Sequence, residues 1–254
     1  MTTTLTSSAP PLGATVEVRR TGPSLPSLVG LEVRKSLSSR SGIAIAASAV
    51  VMGPSGLLLA ALDAEFGWVA APMGVVAMMT GLVLLALGVV STAGEWTHGT
   101  VQTTYLLVPR RGLVLAAKSV AVALLGAALA AVSAALSLAV IAAVGVDYLN
   151  WDGWVQATVV TLAAGAVFAV IGAGIGAATA NTTAALTVLY LFIMGVLPLV
   201  RVGKPELGDA VDPAHATMLL AQGMEETRSI LILAGWVVVS SVAGWTLTHR
   251  RPVQ

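Results

Sequence analysis

Six stretches of this chain, residues 42–62, 69–92, 119–146, 155–180, 184–200 and 229–248, contain no Asp, Glu, Lys, Arg or His. A bilayer hydrocarbon core about 30 Å thick is crossed by about 20 apolar residues rising 1.5 Å each in a helix. Each run is near that length, and the third exceeds it, which predicts tilt or extension into the interface. A soluble fold covers itself with charge at roughly a quarter of its positions; here charged residues make up 10% and hydrophobic ones 57% of 254 residues. The expected fold is an all-α membrane protein with six transmembrane helices. Pro54 lies in the first run, where it is expected to kink or interrupt the helix.

The Lys and Arg residues set the orientation. With the N-terminus inside, Arg19, Arg20, Arg34, Lys35, Arg40, Arg110, Arg111, Lys118, Arg250 and Arg251 fall on the cytoplasmic side and Arg201, Lys204 and Arg228 outside. That bias predicts cytoplasmic termini in a bacterial cytoplasmic membrane. Of the acids only Glu17, Glu32 and Glu95 share the basic side. Residues 1–24, rich in Thr, Ser and Pro and lacking an apolar signal-peptide core, are expected to form a disordered cytoplasmic tail. Over residues 25–41, Leu25, Val29, Val33 and Leu37 recur every fourth position, with Glu32, Arg34 and Lys35 on other faces. This predicts an amphipathic helix lying on the membrane, with a solvated charged turn as the alternative.

The chemistry missing from the runs narrows function. Proton-driven transporters and intramembrane enzymes keep ionisable groups at depth despite about 2.5–3.5 kcal/mol each on insertion scales. These runs offer hydroxyls and an amide, among them Ser133, Ser137, Thr161, Tyr190, Ser240 and Gln156, expected to bond to backbone or to neighbouring helices. With zero cysteines the chain has no thiolate metal site, and a net charge of +1 gives no reason to expect nucleic acid. Two glycine patterns imitate nucleotide sites. Gly112 to Ser119 approximates a phosphate loop but has Ala117 in place of the second glycine, and Gly172-Ala-Gly174-Ile-Gly176-Ala177 lacks the downstream acid of a dinucleotide fold. Gly165, Gly172 and Gly176, beside Ala169, Ala173 and Ala177, read instead as a small-residue face for close helix packing.

Two polar segments remain. Residues 95–111 join the second and third runs, and Val101, Tyr105 and Val108 fit one side of a short helix ended by Pro109. The same Thr, Val and Tyr content suits a strand, and periodicity does not separate the two. The segment reads either as a connector that fixes topology or as a rigid element docking a soluble partner. Residues 201–228 form the outer loop, where Asp212 followed by Pro213 reads as an N-cap and first-turn proline opening a short apolar helix. Asp209, Asp212 and His215, spaced by three, could be proposed as a metal site; the cap already accounts for Asp212, so no metal site is assigned.

The order Glu95…Gly99-Thr100…Leu106-Leu107-Val108-Pro109-Arg110-Arg111…Lys118, two spans after Leu31-Glu32-Val33-Arg34-Lys35, resembles the membrane subunits of ABC type-2 transporters. The likeness runs from about residue 25 to 251. It implies a permease for an ATP-driven exporter, assembled from two permease subunits, homologous or identical, and two separate ATPase subunits that hold ATP and Mg. In that likeness residues 25–41 are an elbow helix, 42–254 the transmembrane domain, and 95–111 the segment coupling to the ATPase. Glu95 becomes the chief determinant of that contact, Gly99 and Thr100 shape its turn, Tyr105 and Pro109 belong to it, and Arg110 anchors its exit. The outer loop dips into the outer leaflet and helps close the exit. The competing expectation is a non-transporting membrane assembly or immunity protein that kept the permease fold.

Overall fold

The computed structural model describes residues 24–60, 67–108, 110–144 and 150–251. Most of the expected N-terminal tail and Pro109 lie outside the described residues. The described residues are almost all helical. Among the described residues the only β feature is a single bridge between Trp68 and Asn150.

Helix α1 (Leu25–Ser38) precedes α2 (Arg40–Ala60), α3 (Ala70–Thr97), α4 (Val101–Leu107), α5 (Arg111–Val144) and α6 (Trp154–Thr179). Then come α7 (Thr182–Tyr190), a π-helical stretch (Leu191–Val196), α8 (Leu197–Gly203), α9 (Pro205–Val211), α10 (Pro213–Ala221) and α11 (Glu226–Arg250). Six helical units are long and apolar enough to cross a membrane: α2, α3, α5, α6, the α7–α8 unit and α11. The protein is therefore a multi-pass membrane protein by length and composition. Alternation of direction puts α1, α4 and the C-terminal end of α11 at one end, here the basic end, and α9 and α10 at the other.

The helices overrun the charge-free runs. At 34 residues, α5 is about 51 Å long, and it brings Lys118 into the bundle, while α3 continues through Glu95. Polar residues that looked like connector are thus helical, because a helix does not stop where its apolar stretch does. Pro54 lies inside α2, so of the expected kink or interruption the interruption does not occur; neighbouring helices make such prolines tolerable in a membrane. The winding changes instead in the fifth span. Pro198 has no N–H for the carbonyl four residues back, and its ring crowds that carbonyl; the turns just before it widen into the π-helical stretch, with the Leu197 amide donating to Phe192 O.

The centre of the bundle is the pair α3 and α6, whose spans are 67% and 61% buried against 17–28% for the other four. Small residues allow this. A methyl group added at Gly172 would strike the Leu85 carbonyl and one at Gly176 the Thr92 hydroxyl, both on α3. At Gly165 it would strike Gly126 and Ala130 of α5. Without solvent-driven association inside lipid, such close backbone approach is a main source of helix attraction. Several hydroxyls at depth join helices: Thr80 pairs with Ser133 at 3.1 Å, Thr92 donates to Ala173 O at 2.9 Å, and Tyr190 donates to Leu82 O at 2.6 Å, whereas the buried Ser137 hydroxyl, expected to bond likewise, has no partner among the described residues.

Candidate functional site

The site is built at the basic end, starting from the last turn of α3. His98 closes that helix, Gly99 follows at φ +69°, and the chain reverses into α4. The Thr100 amide donates to Glu95 O at 2.9 Å and the Gly99 amide to Trp96 O at 3.2 Å. This paired closure uses the left-handed conformation that glycine adopts without a Cβ penalty and satisfies two carbonyls the helix end would orphan. Gly99 and Thr100 therefore define the direction in which α4 leaves.

Helix α4 turns Val101 inward, fully buried, with Tyr105 and Val108 half-buried. Gln102, Thr103 and Leu106 consequently face out, and Leu106 is 84% exposed. Tyr105 is clamped: the Arg111 guanidinium lies 5.3 Å from its ring centroid, and Trp96 meets it edge-on at 6.5 Å. Burial pushes the Tyr105 phenol above its ordinary 10.0, Glu95 adds to the rise, and Arg111 offsets part of it.

Two arginines fasten the surrounding helix ends. Arg111 donates to the Thr248 and Arg251 carbonyls at 3.2 and 2.9 Å, at the C-terminus of α11. Arg251 donates to Ala177 O at 3.1 Å and also to Ala178 O, at the C-terminus of α6, while its guanidinium lies 5.8 Å from the Trp96 ring. Cations there satisfy orphan carbonyls and complement the negative end of the helix dipole. Arg110, expected to anchor the exit of the segment, is exposed, and the anchoring falls to Arg111.

Glu95 takes a different position from that of a docking residue. Its carboxylate is buried, with the residue 6% exposed, and accepts from Lys118 at 2.7 Å and from Lys35. Lys118, 4% exposed, also donates to Glu32 at 2.6 Å. Two carboxylates and two ammonium groups from α1, α3 and α5 thus form one neutral cluster. Burying a charge this way is tolerable only with close, multiple partners, and removing one partner typically costs about 3–5 kcal/mol. The cluster pins α1 to the bundle, with Glu32 on its inward face and Arg34 exposed. Of the apolar repeat read along α1, Val29 and Val33 pack inward, whereas Leu25 and Leu37 stay exposed. Beside the cluster a cleft of about 690 Å³ opens between α1–α2 and α3–α7, with Lys35, Ser36 and His98 in its lining and Ile45, Leu87, Val90 and Leu186 further along the helices.

At the opposite end, the outer segment 201–228 is ordered into helices. Asp212 caps α10 through the Ala214 and His215 amides at 2.8 and 3.1 Å. Arg201 reaches Asp212 Oδ2 and Asp209 Oδ1, both at 2.8 Å, and His215 Nε2 lies 3.6 Å from Asp209 Oδ1, so the three residues named from sequence gather around a guanidinium. Ala214, Ala216, Thr217 and Ala221 are buried where α10 packs back against α3 and α11.

The sequence treated the elbow and the 95–111 segment separately; the fold joins them through Glu32, Lys35, Glu95 and Lys118. It also gave no role to Gln102 or Thr103 and gave Leu106 only a place in the motif, although a helix with Val101 and Tyr105 inward must present them outward. A scan against protein-family models and a search of curated proteins find no match to this chain.

Proposed function

We propose that the chain is the permease subunit of an ATP-driven exporter of the ABC type-2 class, working with a separate ATPase and a second permease subunit. The observation that carries the reading is α4, a short helix held on both sides that presents Gln102, Thr103 and an 84% exposed Leu106 at the basic end. An exposed leucine on a rigid helix outside the spans suits a soluble partner's groove. The charge bias supports placing that end in the cytoplasm, where the ATPase and its ATP and Mg would be.

In this mechanism, closure of the ATPase subunits pushes on α4. The closure at Gly99 and Thr100 passes the load to α3, and Arg111 and Arg251 pass it to α5, α11 and α6. Glu95 acts through the helices it joins: with Lys118 and Lys35 it makes α1 move with α3 and α5. The cleft beside α1 offers a cytoplasmic entry, and α10 lies where it would close the exit. Such a machine needs two packings whose balance the nucleotide state of the partner shifts.

The test is copurification with the candidate ATPase, followed by ATP-dependent efflux from proteoliposomes. Leu106→Asp should abolish both while leaving the protein folded. Retention of association and efflux at the native level would overturn the assignment of α4 as the docking helix.

A further inference from the structure

Helices α5 and α11 both pack on α6 and touch each other at the basic end, where Arg111 holds the Thr248 carbonyl and Trp245 lies against Gly112, and a groove runs between them. Its two walls are stripes at helical spacing: Gly112, Ala116 and Ser119 on α5, and Ser241, Trp245 and His249 on α11. Gly174 of α6 contributes to the lining between them. The wall residues on α5 are small, and a Cβ at Gly112 would run into the Trp245 indole, so that glycine seats the ring. The open outer part spans about 560 Å³ and the inner part about 110 Å³, with Trp245 lining both.

The groove changes chemistry along its length. Its mouth is lined by Arg110, Arg111 and His249, and among the described residues no carboxylate lines either part. The described acids of the basic end, Glu32 and Glu95, are already paired with Lys118 and Lys35. Arg111 is fixed by two carbonyls, and Arg110 is exposed. His249 Nδ1 lies 2.8 Å from the Trp245 carbonyl; a carbonyl only accepts, so Nδ1 donates there and the ring is held against its own helix at the edge of the mouth. Further in, the lining is Leu115, Ala116, Ser119 and Ser241, and the adjoining outer faces carry the exposed Val120, Leu124 and Val242.

We infer that the α5–α11 groove binds an anionic phospholipid, its phosphate at Arg110 and Arg111 and one acyl chain along the groove beside Trp245. Charge complementarity selects this occupant. A basic pocket between transmembrane helices at the headgroup level attracts anionic headgroups, and an interfacial tryptophan sits at that level. A second copy of the chain is the poorer fit, because a two-fold contact through this groove sets the same arginines against each other. The inference is independent of the exporter reading; it needs only the bilayer.

The experiment reconstitutes the full chain in nanodiscs of equimolar phosphatidylglycerol and phosphatidylcholine, then counts retained lipids by native mass spectrometry after transfer to mild detergent. The native protein should retain phosphatidylglycerol preferentially, and Arg110→Gln should lower that preference about fivefold, as expected for one basic group at a membrane surface. Ala116→Phe, which fills the groove, should reduce retention of the lipid, whereas Arg34→Gln, a cation on the outer face of α1, should leave it unchanged. Equal retention of the two lipids by the native protein would overturn the inference. So would an effect of Arg34→Gln as large as that of Arg110→Gln, which would mark a diffuse surface field, or displacement of the lipid by inorganic phosphate, which would mark an ion site.

Discussion

Lys118 is an ammonium group in a helix otherwise suited to lipid, and two carboxylates within 2.7 Å make its position tenable. Lys118→Met should leave Glu32 and Glu95 with Lys35 alone and destabilise the protein by about 3–5 kcal/mol. Paired with Glu95→Gln, the loss should be smaller than the sum of the two singles, because the double variant removes an ion and its counter-ion together. Thermal unfolding of the four proteins in one detergent checks this; additive losses would mean the cluster does not act as a unit. Glu95 stands out in the sequence and the other three share its motif, but their pairing does not show there. The sequence places Glu32 and Lys35 in one segment and Glu95 and Lys118 in another, and nothing in their spacing shows that α1 lies across the ends of α3 and α5. Tyr105 gives a second residue-scale expectation. Its phenol is held above 10.0, so the folded state keeps its proton where the unfolded state loses it. The corresponding stability is fully present below pH 10 and declines as pH rises toward the raised value. Alkaline titration of the unfolding midpoint should show this decline in the native protein and a weaker one in Tyr105→Phe.

Among the elements, α4 was the least certain from sequence, because valine, threonine and tyrosine suit a strand as well as a helix. What decides it is tertiary: Gly99 closes α3 and turns the chain, and the clamp of Trp96 and Arg111 on Tyr105 fixes the helix face. Gly99→Ala should therefore cost about 1–2 kcal/mol, the strain of a left-handed alanine. Under the exporter proposal it should also weaken ATPase association more than an Ala substitution at exposed Thr103, measured by the same copurification. The Asp212-Pro213 start of α10 was legible because a cap and a first-turn proline are local signals. Arg201 as partner of both Asp209 and Asp212 was not, since it depends on how α8 and α9 fold back. The π-helical stretch before Pro198 likewise comes from a residue whose effect lies upstream of it in the chain.

For the whole molecule, the six spans and the small-residue face of α6 were readable from charge-free length and four-residue spacing. Which helix that face meets was not, because glycines on one helix do not name their partners. The structure gives α3 to Gly172 and Gly176, and α5 to Gly165. Gly172→Val should separate α3 from α6, the most buried pair, and lower stability by about 1–3 kcal/mol as overpacking does, whereas Gly235→Val, with open space around it, should not. The absence of cysteine allows a clean test of orientation. A cysteine at exposed Glu206 should label from outside intact cells and one at exposed Gln102 only after permeabilisation; the reverse pattern would invert the proposed topology. The claim on which the functional account turns is that α4 is the seat of an ATPase. A photo-crosslinking amino acid at position 106, activated in native membranes and followed by mass spectrometry of the adduct, addresses it most directly. The account predicts an ATP-binding-cassette ATPase crosslinked at that position and lost from a control at buried Val101; adducts to lipid or to other membrane proteins alone would contradict it.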